Sequence, residues 1–195
     1  LLRDLSFIVE LGQSWAILGA NGTGKSSLLR LLSGITKPAE DDVFVEDVAL
    51  SSFSQKSLAK EVGLLPQFED HNYWGSVSEY VGLGRFAHAA GLFGQSENDQ
   101  LITKKSLENF EIGNLSHREY RGLSGGERQR TRLASLMAQD PRIFLWDEPL
   151  ENLDYSGQMK FLSWLVGIVS TRDKASMMVI HDINLVSRFF THTLM

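Results

Sequence analysis

Residues 14–32 read SWAILGANGTGKSSLLRLL, and how this stretch divides decides the fold. SWAILGA (14–20) is a compact apolar run ending in glycine, which suits a buried strand. KSSLLRLLSG (25–34) carries leucines at 28, 29, 31 and 32 and stops at Gly34, with Pro38 beyond, which suits a helix. Between them Gly19, Gly24, Lys25 and Ser26 match G-x-x-x-x-G-K-[ST], a loop whose backbone N–H groups cradle phosphates. Lys25 brings a mobile positive charge to the outer phosphates, and Ser26 offers a hydroxyl to magnesium. A helix N-terminus alone contributes about 0.3–1 kcal/mol. Several charge-assisted hydrogen bonds, at about 1.5–3 kcal/mol each, are needed for useful affinity. The loop therefore names a ligand class but not a task.

Outward from the loop, DDVFVEDVALS (41–51) alternates like a strand or hairpin, and EVGLLPQ (61–67) is a short apolar strand closed by Pro66. RIFLWDEP (142–149) is another strand, GQMKFLSWLVGIVS (157–170) a helix, and ASMMVIHD (175–182) a final strand. Strands alternating with helices predict a mostly parallel α/β sheet with its ligand at the strand carboxyl ends. Residues 70–140 differ. Aromatics (Tyr73, Trp74, Tyr80, Phe86, Phe93, Phe110) alternate with helical patterns and a polar stretch, GQSENDQ (94–100), which predicts a mostly helical insertion. The expected division is 1–69 for the first part of the core, 70–140 for the helical subdomain and 141–195 for the rest of the core.

The 195 residues suffice for one domain with a subdomain, and 43% hydrophobic content supports a single large core. A net charge of −5 argues against nucleic acid as a partner, which would demand a basic stripe. With no cysteine, disulfides, thiolate metal sites and cysteine nucleophiles are excluded. No apolar run approaches the ~20 residues of a membrane span, and LLRDLSFIVELGQ (1–13) does not read as a signal peptide. Work at a membrane would need a partner.

Two further motifs carry chemistry. Asp147 closes the RIFLWDEP strand, where a carboxylate can hold magnesium through water, and Glu148 can polarise or deprotonate an attacking water. In LSGGERQR (123–130), Ser124 and Glu127 form a capping box that opens a helix through about Gln139. A plain cap does not need Gly125 and Gly126, which cost helix stability. They bare the backbone N–H groups and make a second anion site, as though two copies share one ligand.

Taken in order, GANGTGKS (19–26), Gln67, LSGGE (123–127), IFLWDE (143–148), LENLD (150–154) and His181 resemble the motifs of ATP-binding cassette (ABC) nucleotide-binding domains, over nearly the whole chain. The resemblance implies a P-loop NTPase (RecA-like) core with a mostly parallel sheet and an inserted helical subdomain. It also implies an ATP hydrolase with ATP and Mg²⁺ as cofactors. Gly19, Asn21, Gly22, Gly24, Lys25, Ser26 and Ser27 would bind nucleotide. Ser124, Gly125, Gly126 and Asp154 would meet it across a head-to-tail dimer. Ser26, Gln67 and Asp147 would serve magnesium, and Glu148, His181 and Gln67 catalysis. SVSEYVGLGRFAH (76–88) and HDINLVSRF (181–189) are similar to ATPase subunits of importers for iron-siderophores, haem or cobalamin. The implied partners are a second copy and a transmembrane permease, with the chain on the cytoplasmic face of the membrane. The alternative is a soluble ABC ATPase, as in cluster assembly, or a nucleotide-binding module without turnover. His71, His88, His117 and His192 have no ligand-like spacing.

The chain departs from the family in places. The adenine-stacking aromatic expected upstream of LRDLSF lies before Leu1, and relatives continue past His181, so a trimmed cassette is expected. Trp146 replaces an aliphatic residue and is assigned to the core. Ser135 stands where relatives often carry arginine. Leu150 and Glu151 are expected to bear on the dimer contact, and none of these departures on the chemistry.

Overall fold

A computed structural model describes residues 5–40, 42–68, 72–89 and 96–195. Strand β1 (Ser14–Ile17) leads through the Gly-rich loop into α1 (Lys25–Leu32), followed by the hairpin β2 (Phe44–Val45) and β3 (Val48–Ala49). Then come α2 (Gln55–Glu61), β4 (Val62–Leu65), α3 (Val77–Leu83), α4 (Glu97–Asn109) and α5 (Gly125–Gln139). The chain returns through β5 (Ile143–Asp147), α6 (Tyr155–Ser170), β6 (Ala175–Val179), α7 (Ile183–Phe189) and β7 (His192–Leu194). The main sheet has the order β4-β5-β6-β1-β7 with every pairing parallel. ASMMVIHD is therefore not the last strand: β7 pairs with β1, with Trp15 opposite His192. At three residues, β7 is too short to show a period.

A parallel sheet needs both faces covered, and the period of two in β5 does this. Phe144 and Trp146 pack with Phe161, Leu162 and Leu165 of α6 on one face. Leu145 meets Leu28 and Leu29 of α1 on the other. Trp146 is wholly buried, stacked at 5.3 Å on Phe144 and edge-on at 5.1 Å to Phe161. Its indole N–H donates to Ser176 Oγ at 3.1 Å, so its polar atom is satisfied. The core role expected of Trp146 is what the structure shows.

Helices α3, α4 and α5 pack on one another around a separate core of Val77, Tyr80, Leu107, Ile112, Tyr120 and Ala134. Each opens with a capping box: Ser76 with Glu79, Ser96 with Asp99, and Ser124 with Glu127. A buried ion pair ties this unit together. Arg85 Nε meets Asp99 Oδ1 at 2.9 Å, and Arg85 Nη1 donates to Ala138 O at 2.7 Å. The expected boundary at 69/70, His71, Phe93 and the first two residues of GQSENDQ lie outside the described residues.

Candidate functional site

The carboxyl ends of β1, β4, β5 and β6 gather the loops that carry most of the candidate residues. Gly19, Gly22 and Gly24 have φ of 151°, 81° and 99°, and at each a side chain would be strained. Gly24 N-caps α1 without a side-chain bond, so the first-turn N–H groups of Lys25, Ser26 and Ser27 are left for a ligand. Lys25 folds back over the loop, donating to Gly19 O and Ala20 O, both at 2.9 Å. Asn21 and Gly22 form the exposed rim.

Asp147 ends β5 and is buried, with Oδ1 lacking any hydrogen-bond partner. Burial pushes its carboxyl above the ordinary range, opposed by hydrogen bonds from the Ser26 hydroxyl and the Gln67 backbone N–H and reinforced by Glu148. A buried carboxylate oxygen without a partner, beside a hydroxyl and at the foot of a phosphate loop, is an oxygen donor set that fits a magnesium ion. Glu148 follows in the left-handed region at φ 52°, a conformation that costs a non-glycine residue about 1–3 kcal/mol and concentrates at functional sites. Its Oε1 lies 2.9 Å from His181 Nε2, and the histidine ring is half exposed.

Glu151 stands in the same turn, its N–H donating to Glu148 O at 3.3 Å. Desolvation pushes its carboxyl up, helped by Glu148 and opposed by the Gln67 amide and His181.

Ser124, Gly125, Gly126 and Asp154 form a separate group within the chain. The expected box is present: Ser124 N donates to Glu127 Oε2 at 2.8 Å and Glu127 N to Ser124 Oγ at 3.4 Å. Gly126 has a second physical reason: a Cβ there would lie 3.1 Å from Asn152 O, so the 150–154 loop would have to give by a few tenths of an ångström. Asp154 caps α6, accepting from Gly157 N at 3.0 Å. Among the described residues, no hydrogen bond joins this group to the phosphate loop.

Gln129 and Arg132 were missed in the sequence, and both are buried. Gln129 Nε2 donates to Pro149 O at 2.7 Å, and Arg132 donates to Gln129 Oε1 at 2.9 Å and to Pro66 O. They therefore grip the carbonyls next to Glu148 and Gln67. Their signal was available, since 129, 132, 133 and 136 share the inward face of α5. Of the other histidines, His88 bonds to Gln139 O at 2.7 Å and His192 stacks on Trp15 at 4.8 Å. Among the described residues no group of histidines and acids forms a metal cluster, and no helix is long and apolar enough to cross a membrane.

Comparison with known proteins adds independent findings. The ABC transporter family model matches residues 2–151. A hemin import ATP-binding protein of Pseudomonas entomophila is 36% identical over 199 residues, covering 100% of this chain and 76% of its own. An iron(3+)-hydroxamate import ATP-binding protein of Bacillus subtilis is 33% identical over 189 residues, 97% of this chain and 70% of its own. The chain spans between 43% and 76% of the length of such curated relatives. Among solved structures, a dimeric ATP-binding cassette in a post-hydrolysis state, bound to ADP and phosphate, superposes with a TM-score of 0.86 at 25% identity. That match covers 97% of this chain and 83% of the other.

Proposed function

This chain belongs to the ABC transporter family, and from that premise we propose that it is the ATP-hydrolysing subunit of an importer for an iron-siderophore, haem or related chelate. The substrate class rests on the hemin and hydroxamate relatives. Hydrolysis starts from the phosphate loop, where the α1 N–H groups and Lys25 take the phosphates. Lys25 must first leave the carbonyls of Gly19 and Ala20. Ser26, Asp147 and Gln67 would hold magnesium, which when bound supplies charge neutralisation to the β- and γ-phosphates. Glu148 takes a proton from the attacking water, whose oxygen bonds to the γ-phosphorus while the bridging bond to ADP breaks. His181, released from Glu148, steadies the γ-phosphate.

Ser124, Gly125, Gly126 and Asp154 lack a phosphate loop of their own, so they serve ATP held by a second copy, head to tail. The single observation carrying this reading is a capped, glycine-opened helix start on the same chain as, but unconnected to, a complete phosphate loop. The motion would drive a separate permease on the cytoplasmic face of the membrane. Phe68, just after Gln67, and Trp74 and Phe86 are about four-fifths exposed, which suits an apolar docking partner.

Light scattering of Glu148→Gln with and without ATP tests the shared site. The expected result is a dimer only with ATP. A monomer at saturating ATP would defeat the head-to-tail reading.

A further inference from the structure

Gln129 and Arg132 lie three residues apart on α5, about one turn of helix, so their side chains leave the same face. That face is buried: Gln129 is 4% exposed and Arg132 6%. The Arg132 guanidinium reaches two acceptors, Nη1 donating to Gln129 Oε1 at 2.9 Å and Nη2 to Pro66 O. Gln129 Nε2 then donates to Pro149 O at 2.7 Å. These groups form one continuous bridge, Pro66–Arg132–Gln129–Pro149, from the end of β4 to the turn after β5. Both carbonyls stand past the ladder that pairs Leu65 with Trp146, so their donors have to come from outside that pairing. Each bond also fixes the peptide that leads onward. A trans peptide points its C=O and N–H in opposite directions, so holding Pro66 O against α5 turns the Gln67 N–H away from the helix. Holding Pro149 O does the same for the N–H of Leu150, two residues past Glu148.

We propose that Arg132 is a positioning residue of the hydrolytic site, acting through this bridge to hold the turn that leads into Gln67 at one spacing from the turn that carries Glu148. The ladder does not set that spacing, because the pairing of β4 with β5 ends at Leu65 and Trp146, before either turn begins. The proposal rests on the ATPase reading. A merely structural role for Arg132 would lower stability and leave the turnover of the folded chain alone.

The test compares the full native chain with Arg132→Met, Arg132→Lys, Gln129→Met and the Gln129→Met/Arg132→Met double variant. Leu107→Ala, in the separate core of the helical unit, is the control for lost stability alone. Steady-state turnover with Mg-ATP gives kcat and KM at a temperature where each chain compared is folded. Hydrogen exchange without nucleotide follows the backbone at residues 67–68 and 150–153. Expected for Arg132→Met is a loss of about fivefold or more in kcat with KM within about twofold, as befits a lost orientation. Arg132→Lys keeps the charge but not the planar fork that reaches two acceptors, so it should be slower than native by about threefold or more. It decides the question by itself if Arg132→Met does not fold. The double variant is no slower than the slower single one, because either loss breaks the same bridge. Leu107→Ala keeps kcat within about twofold of native, and exchange at both segments quickens more in the Arg132 variants than in this control. A kcat in the folded Arg132 variants no lower than in the control, multiplying effects in the double variant, or quickening confined to 67–68 would each overturn the proposal. A native chain that turns over no ATP would defeat the ATPase reading instead, while the exchange pattern still decides whether Arg132 joins the two turns.

Discussion

Gln129→Met is a sharp test of how the helical unit holds the loops of the candidate site. The substitution keeps the length of the side chain and removes both polar ends. Gln129 is 4% exposed, so water does not replace what is lost. Pro149 O loses its donor at 2.7 Å, and an unpaired buried carbonyl costs about 1–3 kcal/mol. Arg132 loses an acceptor at 2.9 Å, and hydrogen bonds to charged groups contribute about 1.5–3 kcal/mol. Partial relaxation makes the sum smaller than the two ends together, so about 3 kcal/mol is expected. For a chain of this size that lowers the thermal midpoint by about 6–12 °C. Function should fall as well, because Pro149 adjoins Glu148, and a displacement of about 1 Å can cost a hundredfold in rate. Urea unfolding followed by tryptophan fluorescence, together with ATP turnover, checks both arms. Gln100→Met, on the exposed side of α4, is the control and should stay within about 0.5 kcal/mol. A Gln129→Met chain with native stability and a kcat within about twofold of native would refute the reasoning.

Other consequences follow from the same geometry. Trp146→Ala, at a wholly buried position, should lose about 3–5 kcal/mol of unfolding free energy in denaturant titration. Arg85→Met leaves Asp99 buried without its cation and should cost about 3–5 kcal/mol, whereas Arg85→Met/Asp99→Leu should recover only part of that in the same titration, because the Ser96 box and the donor to Ala138 O are lost with the pair. The Asp99 carboxyl is held below its usual value of 3.8, first by the Ser96 hydroxyl and then by Arg85. Its stabilisation is therefore full above about pH 4 and disappears as pH falls through the lower folded value. Asp99→Asn should accordingly flatten the acid limb of a stability–pH curve measured by urea unfolding, and an unchanged limb would count against it.

The parts of this fold legible in sequence are those with local causes. Strand β1, the Gly-rich loop and α1 follow from an apolar run, glycines and a leucine stripe within twenty residues, and β5 from the short apolar run Ile143–Trp146 that ends in acids. The capping box at Ser124 is readable because both partners lie within one turn. What stayed hidden depends on distant partners. The inward face of α5 marks Gln129 and Arg132 for burial, but not the carbonyls they grip after β4 and β5, which for Arg132 and Pro66 lie 66 residues apart in the chain. Strand β7 exists because β1 offers it an edge, not because three residues announce it.

The side chains of the candidate site also bear on where the free energy of nucleotide binding comes from. Lys25 is satisfied by Gly19 O and Ala20 O, and His181 by Glu148. ATP must exchange those bonds for its own, so each new contact contributes only the difference between two hydrogen bonds, not its full strength. Asp147 is different. Its buried Oδ1 has no partner to give up, so a cation there relieves an existing cost instead of trading one bond for another. The reasoning ranks the ligands: charge neutralisation at Asp147 should supply more of the net affinity than the lysine contact. Without magnesium, ATP affinity should therefore fall more in the native chain than in Asp147→Asn, where the uncompensated charge is already gone. Titration of nucleotide with and without the metal, on both chains, measures that difference, and an equal metal dependence in the two would place the driving force elsewhere.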